Sequence, residues 1–458
     1  MMIKVFQIVA IVISAFCVSS MALFKEPLWL LPLLYSILIT LSSGNKKLIK
    51  GSPGMIALNI TMFCRYVLAI LACYLNGELS RYTINYTYVK DAIYLMAYEM
   101  IVVFVVIEFC GKKFKNKPAR VKESIQPLEI GLPLLILFLI IQFFIGSTYM
   151  HLSQGFDVFV GGSYDEFYDI KSAVSQGTHY VEIIWETLWV WIYIYLLLWQ
   201  KRLYDKTRSC IHVYVCLLFT LLILLITFIG QTAINRWYTI MTACSSLALL
   251  VKLYPNEKKS VLTIILAPVG AVIFFATIIK NAGYVAGSTT ISESLIVLFN
   301  PSEMDSYFCG PVGLGSAIGV YHRNIVGFSN LFNDVLSSAP LIGRTFPSTQ
   351  TTAYAYWNFN ERGDLIIPLL GQSAIYFGFI LSPLLTALSV VISRKFDALY
   401  KNSMSYMTYI YAFAAIWFAI ESMALNLTIN SNWFFIRIMP FMLILWVTCK
   451  MSNKKHAL

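Results

Sequence analysis

Residues 211–229 read IHVYVCLLFTLLILLITFI, and no Asp, Glu, Lys or Arg interrupts the run. A spanning helix needs roughly 20 mostly apolar residues, so this stretch by itself predicts a transmembrane helix. Working outward, the same test selects 3–24, 27–43, 54–75, 92–110, 131–147, 181–200, 237–252, 260–279, 365–392, 405–425 and 433–449. The run 365–392 is long and broken by Pro368, Gly371, Gly378 and Pro383, which leaves open a kinked span or a re-entrant hairpin followed by a span. Composition agrees: 58% of residues are hydrophobic, 12% are charged and the mean hydropathy is +0.71, values that describe a chain whose solvent is the bilayer. The expected fold is an all-α polytopic membrane protein with about 12 transmembrane helices.

Orientation follows from Lys and Arg, which collect on the cytoplasmic side. Lys4, Lys46, Lys47, Lys50, the cluster Lys112 to Lys122, Lys201 to Arg208, Lys252 to Lys259, Arg394 to Lys401 and Lys450 to Lys455 all fall in one set of alternate loops. The other set holds only Lys25, Arg81, Lys90, Lys171, Arg236, Lys280, Arg323, Arg344 and Arg362. Both termini are therefore expected in the cytoplasm, with 148–180, 231–236, 281–363 and 426–432 outside. The layout is then 1–280 with nine spans, 281–363 as one large external loop between spans 9 and 10, and 364–458 with the last three spans and a cytoplasmic tail. The net charge of +11 is a topology signal and gives no reason to invoke nucleic acid. The first span, preceded by Lys4 and lacking a clear small-residue cleavage site, reads as an anchor rather than a leader.

Several chemistries find no support. The nine cysteines lie in or beside spans except Cys309, so no disulfide framework is implied. No Cys/His cluster has zinc spacing, and neither a P-loop nor a GxGxxG fingerprint occurs, so neither a metal nor a nucleotide cofactor is expected.

Charges inside spans cost roughly 2.5–3.5 kcal/mol each near a helix centre, so each needs a reason. Arg65 and Glu99 lie equally far from the cytoplasmic ends of the third and fourth spans, which points to a neutralising pair, with a substrate role as the alternative. Arg437 enters the last span from its external end and Glu421 leaves the span before it at the same leaflet; Arg437 either snorkels to water or serves a substrate. Arg236 stands just before Trp237 and Tyr238, as an interface anchor or a functional cation. Glu182, Glu186 and Trp189 share one face of the sixth span by their i, i+4, i+7 spacing. Two carboxylates beside an indole suit sugar hydroxyls and a sugar's apolar face, though a water-facing helix end with belt tryptophans has the same pattern. The segment TTAYAYWNF at 351–359 suits stacking on sugar rings or resting at the interface.

The order of landmarks resembles a known family. An aromatic and acidic loop surrounds Tyr164, a glycine-led turn GQTAINR ends at Arg236, and a span ends at Lys280 with Tyr284 close behind. The outer loop then carries SAPLIGRTFP at 338–347 and closes through Gly363 and Asp364 into the broken run 365–392. This layout is similar to the Wzy-type oligosaccharide repeat-unit polymerases of O-antigen and capsule synthesis.

The resemblance implies a membrane-embedded glycosyltransferase at the outer face of a bacterial cytoplasmic membrane. Its substrate is an undecaprenyl-pyrophosphate-linked oligosaccharide and its surroundings are membrane lipids, with a chain-length regulator as a possible partner. Arg236, Arg344 and Arg437 match the family's arginines and are expected to hold pyrophosphate, for which a guanidinium fork is suited. Asp364, Glu361 and Glu421 are the candidate general bases, in no settled order. Lys280, Tyr284 and Tyr164, with Glu182 and Glu186, are expected to bind substrate. An O-antigen ligase stays open through the pair His322 and Arg323. A flippase or other transporter also has many spans, but would keep its external loops shorter than 281–363.

Overall fold

A computed structural model describes residues 2–42, 49, 51–81, 86–113, 132–148, 178–229, 236–264, 270, 299–339, 342–361 and 365–454. Among the described residues every regular element is helical and there is no strand. Helices α1 (Met2–Ser19), α2 (Leu30–Leu41), α3 (Pro53–Asn76), α4 (Val89–Lys113), α5 (Leu132–Thr148), α6 (Thr178–Thr207), α7 (Ile211–Ile229) and α8 (Arg236–Leu253) fall on the first eight expected segments. The ninth, 260–279, lies mostly outside the described residues. Then come α9 (Pro301–Phe308), α10 (Pro311–His322), α11 (Asn330–Leu336), α12 (Thr352–Asn360), α13 (Leu369–Phe377), α14 (Leu384–Asn402) and α15 (Met407–Ala424). The last helix, α16, runs through Leu427–Trp433, a π-helical turn Phe434–Ile438 and Met439–Lys454.

Among the described residues five helices are long and apolar enough to cross a membrane: Pro53–Asn76, Val89–Gly111, Ile183–Thr207, Met407–Ala424 and Leu427–Met451. The other apolar helices are shorter. At 1.5 Å per residue the 12 residues of α2 rise about 18 Å, against a hydrocarbon core of about 30 Å.

The run 365–392 is not one kinked span. Pro368 precedes the first residue of α13, and the helix stops after nine residues at Gly378, whose φ of +78 lies in the region glycine adopts without strain. A turn through Pro383 then leads into α14. That helix is inside out by the standard of a soluble protein: Thr386, Ser389, Ser393, Arg394 and Asp397 face inward, while Leu384, Leu388 and Leu399 stand roughly half exposed. Polar groups inward and leucines outward is the arrangement a hydrocarbon surrounding favours.

The chain divides into two compact units, each discontinuous in sequence: Met1–Ala119 with Leu295–Lys401 and Ala414–Phe435, and Arg120–Ser294 with Asn402–Phe413 and Ile436–Leu458. In the first unit, α10 is buried from Pro311 to Val320, although it belongs to the stretch expected as a polar outer loop. Small residues allow that burial. A Cβ on Gly315 would stand 3.2 Å from the backbone of Tyr88 and Val89, and one on Gly371 would stand 2.5 Å from Ala317.

Two buried carboxylates fasten this segment. Asp305 accepts hydrogen bonds from the backbone N–H of Val312 (3.0 Å) and Gly313 (2.8 Å), capping α10 from α9. Asp334 accepts from the Thr352 backbone N–H at the start of α12, and from the hydroxyls of Thr352, Tyr376 and Thr428. Burial raises the Asp305 carboxyl from 3.8 to about 6, with the two backbone donors and Arg65 opposing the rise. The folded state therefore binds this proton more tightly than the unfolded chain. Stability from this group is highest below pH 3.8 and is lost as pH climbs through about 6. Thermal unfolding in detergent is expected to show that decline across the window, and Asp305→Asn is expected to flatten it; an unchanged slope in the variant would remove Asp305 as its source.

In the second unit, α6 packs against α5, α7 and the Met439–Lys454 part of α16. The contacts include Trp191 Nε1–H donating to Thr448 Oγ1 (2.9 Å) and a 2.9 Å hydrogen bond between the Tyr193 and Thr220 hydroxyls. Side-chain hydrogen bonds of this kind join helices where no water competes.

Candidate functional site

Two places hold the chemistry. The first is in the second unit, where Arg437 lies on the π-helical turn Phe434–Ile438 of α16. Its Nε and Nη2 reach Glu186 Oε2 and Oε1 on α6, both at 3.0 Å, a two-point guanidinium–carboxylate pair with both side chains buried. The guanidinium also lies 4.7 Å from the centre of the Tyr238 ring on α8. The pair neutralises a charge that α16 could not otherwise bury cheaply. Arg437 therefore does not snorkel to water. Glu186, expected among the sugar ligands, has its carboxylate engaged by this arginine, because the nearer opposite charge in an apolar surrounding outcompetes a hydroxyl.

The first unit contains a counterpart. Arg65, on the π-helical turn Cys64–Leu68 of α3, meets Glu99 of α4 at 3.0 Å with both side chains fully buried. Its Nη1 donates to the Met423 carbonyl at 2.6 Å. Glu99 accepts further bonds from the hydroxyls of Tyr66 (2.8 Å) and Thr386 (2.7 Å). Depth matching along the two spans anticipated this pair, and its three further partners leave it a structural role.

The second place is a half-open cleft of about 590 Å³ formed by residues 323–359. Its walls include amides, hydroxyls and rings, Asn333, Gln350, Thr349 and Asn358 with Tyr354 and Phe359, and among the described residues Arg323 is the one charged lining residue. Asn330 braces the wall, accepting from the Gly327 N–H (3.0 Å) and donating to the Gln350 carbonyl (2.8 Å). Arg323 ends α10, where the negative end of the helix dipole favours a cation, and its guanidinium lies 4.5 Å from the centre of the Phe359 ring. Ile325 and Val326 add apolar surface to the lining, and Ile325, Phe328 and Phe332 are each more than half exposed.

Comparison of the chain with protein-family models, with curated proteins and with solved structures gave no match. The assignment therefore rests on residues and geometry.

Of the residues singled out in the sequence, the structure brings together Glu186 and Arg437. Arg236 opens α8 and Arg344 lies in the 3₁₀ turn Gly343–Thr345, with both side chains outside the described residues. Glu182 is on α6 with its side chain likewise outside them, and Lys280, Tyr284, Tyr164 and Asp364 lie wholly outside. Glu361 ends α12 with φ +55, and Glu421 is buried on α15, one turn from Trp417, whose ring stacks on Trp433 at 3.9 Å. His322 does not join Arg323 in the cleft wall: its ring stacks on Tyr88 at 4.9 Å. Sequence reasoning passed over Asn333 and Gln350. The signal available was the density of amides and hydroxyls between 329 and 358, spread over segments too far apart to read as one motif.

Proposed function

We propose that this protein polymerises lipid-linked oligosaccharide repeat units at the outer face of a bacterial cytoplasmic membrane, within a bundle of about 12 transmembrane helices. The observation that carries this reading is the 323–359 cleft, a hollow of mixed polar and apolar lining with exposed apolar residues in neighbouring positions. Amides and hydroxyls hydrogen-bond sugar hydroxyls, Tyr354 and Phe359 offer ring faces to pyranose C–H groups, and Ile325, Phe328 and Phe332 suit the lipid end of the same amphiphile. In the reaction proposed, an acceptor sugar hydroxyl attacks the anomeric carbon of the donor. A C–O bond forms there while the bond to the pyrophosphate oxygen breaks; a carboxylate takes the hydroxyl proton, and the diphosphate leaves as the anion. Arg236 and Arg344 serve that anion by the resemblance of their positions, and Asp364, Glu361 or Glu421 serves as base.

A transporter reading draws on the buried hydroxyls of the second unit, among them Tyr193, Thr220 and Ser245. Those groups are already used in packing: Thr220 donates to the Cys216 carbonyl (2.8 Å) and Ser245 to that of Met241 (2.6 Å). They support helix association better than a permeation path.

The test is genetic and biochemical together. Deleting the gene is expected to leave surface glycan as single repeat units, and Arg344→Ala or Arg236→Ala protein, inserted at normal levels, is expected not to restore the ladder. Normal ladders from both variants would remove those arginines from the site. Accumulation of full-length lipid-linked polymer in the deletion strain would identify a ligase instead, and units stranded on the cytoplasmic face would identify a flippase.

A further inference from the structure

We propose that the 323–359 cleft selects a saccharide bearing a carboxylate, a uronic-acid type of sugar, with Arg323 as the residue that reads the acid group. The inference rests on the saccharide reading above and adds a charge to it.

The cleft's chemistry is lopsided. Among the described residues its lining offers amides, hydroxyls, rings and the aliphatic Ile325 and Val326, but a single charged group, the Arg323 guanidinium. Among the described residues no carboxylate forms an ion pair with Arg323, whose guanidinium lies over the Phe359 ring at 4.5 Å. That ring is itself held in place, since it packs so closely over Gly319 that a Cβ there would stand 2.7 Å from it. A ring contact of this kind attracts the guanidinium without supplying a hydrogen-bond acceptor equal to a carboxylate. A cation so held at an open cleft is a site waiting for an anion.

Among the described residues one cation lines the cleft, and that suits a singly charged anion. A pyrophosphate carries several negative charges and calls for several converging cations, whereas a carboxylate carries one and matches one guanidinium at two points. The surrounding neutral groups, Asn333, Gln350 and Asn358, fit the hydroxyls flanking such an acid in a sugar ring. The volume of about 590 Å³ falls within the roughly 300–1,000 Å³ usual for sites that enclose a small ligand.

The test uses the full-length protein in lipid nanodiscs and calorimetric titration. Its probes are hyaluronan and polygalacturonate tetrasaccharides, their carboxyl-reduced forms, and inorganic pyrophosphate. The wild type is expected to bind at least one acidic tetrasaccharide about tenfold or more tightly than its reduced form, in line with a charge-assisted pair, and the preference is expected to shrink at high salt. Arg323 is exposed, so Arg323→Gln is expected to fold normally and to bind both forms equally, at the affinity of the reduced one. Equal binding of acidic and reduced forms by the wild type, or a preference retained in Arg323→Gln, overturns the acid-reading role while leaving the saccharide site standing. Pyrophosphate displacing the tetrasaccharides in an Arg323-dependent way reassigns the cation to phosphate and overturns it too. No binding of any sugar form removes the saccharide site and this inference with it.

Discussion

Glu99→Ala protein is expected to lose about 3–5 kcal/mol of stability, because the substitution strands the Arg65 guanidinium where no water reaches it. Three features make this the costliest single change in the first unit. Both partners are fully buried, and α3, which carries Arg65, is one of the membrane-length helices. The same deletion also leaves the hydroxyls of Tyr66 and Thr386 without their acceptor. Denaturant unfolding of purified protein in mixed micelles measures the loss. Arg65→Met combined with Glu99→Leu is expected to recover part of it, since removing both charges ends the electrostatic penalty but not the two orphaned hydroxyls. A Glu99→Ala protein as stable as the wild type would show that the pair contributes nothing net.

Asp397→Ala is expected to be nearly as damaging, again about 3–5 kcal/mol, for a different combination of reasons. From α14 the carboxylate accepts the backbone N–H groups of Gly54 (2.9 Å) and Met55 (3.1 Å) at the start of α3, and pairs with Arg394 Nη1 at 2.9 Å. It is at once a helix cap and a counterion, with Arg394 only 1% exposed. Neighbouring atoms cannot close over the gap. Gly54 already lies so near Ser393 and the Ala415 carbonyl that an added Cβ would stand 2.7 Å from that oxygen. Asp397→Asn keeps an acceptor and is expected to cost about 1–3 kcal/mol. The ordering alanine worse than asparagine, read by the same unfolding assay, separates this dual role from simple loss of volume; the reverse order would refute it.

What the sequence revealed depended on whether the information was local. Arg65 and Glu99 were readable as partners because equal distances along two neighbouring antiparallel helices put them at one depth. Glu186 and Arg437 stand 251 residues apart, and no spacing rule connects them. Each instead suggested a nearer companion, Glu182 for one and Glu421 for the other. Helix α10 escaped for a different reason. GPVGLGSAIGVYH is rich in small residues, too short to register as a span and too mild in hydropathy to register as core, yet glycine lets it pack closer than a leucine helix would. Helix α14 was half seen, its apolar beginning read as the end of a span and its Arg394 and Asp397 read as a cytoplasmic loop. In fact those charges line the buried face. The cleft combines a helix end, a turn and a tyrosine-rich helix, of which only the last stood out in the sequence.

Arg65 and Arg437 both sit on π-helical turns, and that gives the chain two points where its residue count can change without turning a helix. A π turn accommodates one residue beyond α-helical register, so removing a single residue between Phe434 and Ile438 would let the helix close into regular form while Met439–Lys454 keeps nearly its present face. The same deletion at the start of the regular Met439–Lys454 stretch would instead swing everything after it by roughly 100° about the helix axis. Leu443 and Trp446, now outward, would turn inward, and Leu445, now fully buried, would rotate out of the core. A one-residue deletion is thus absorbed in one place and rotates a whole helix a turn later.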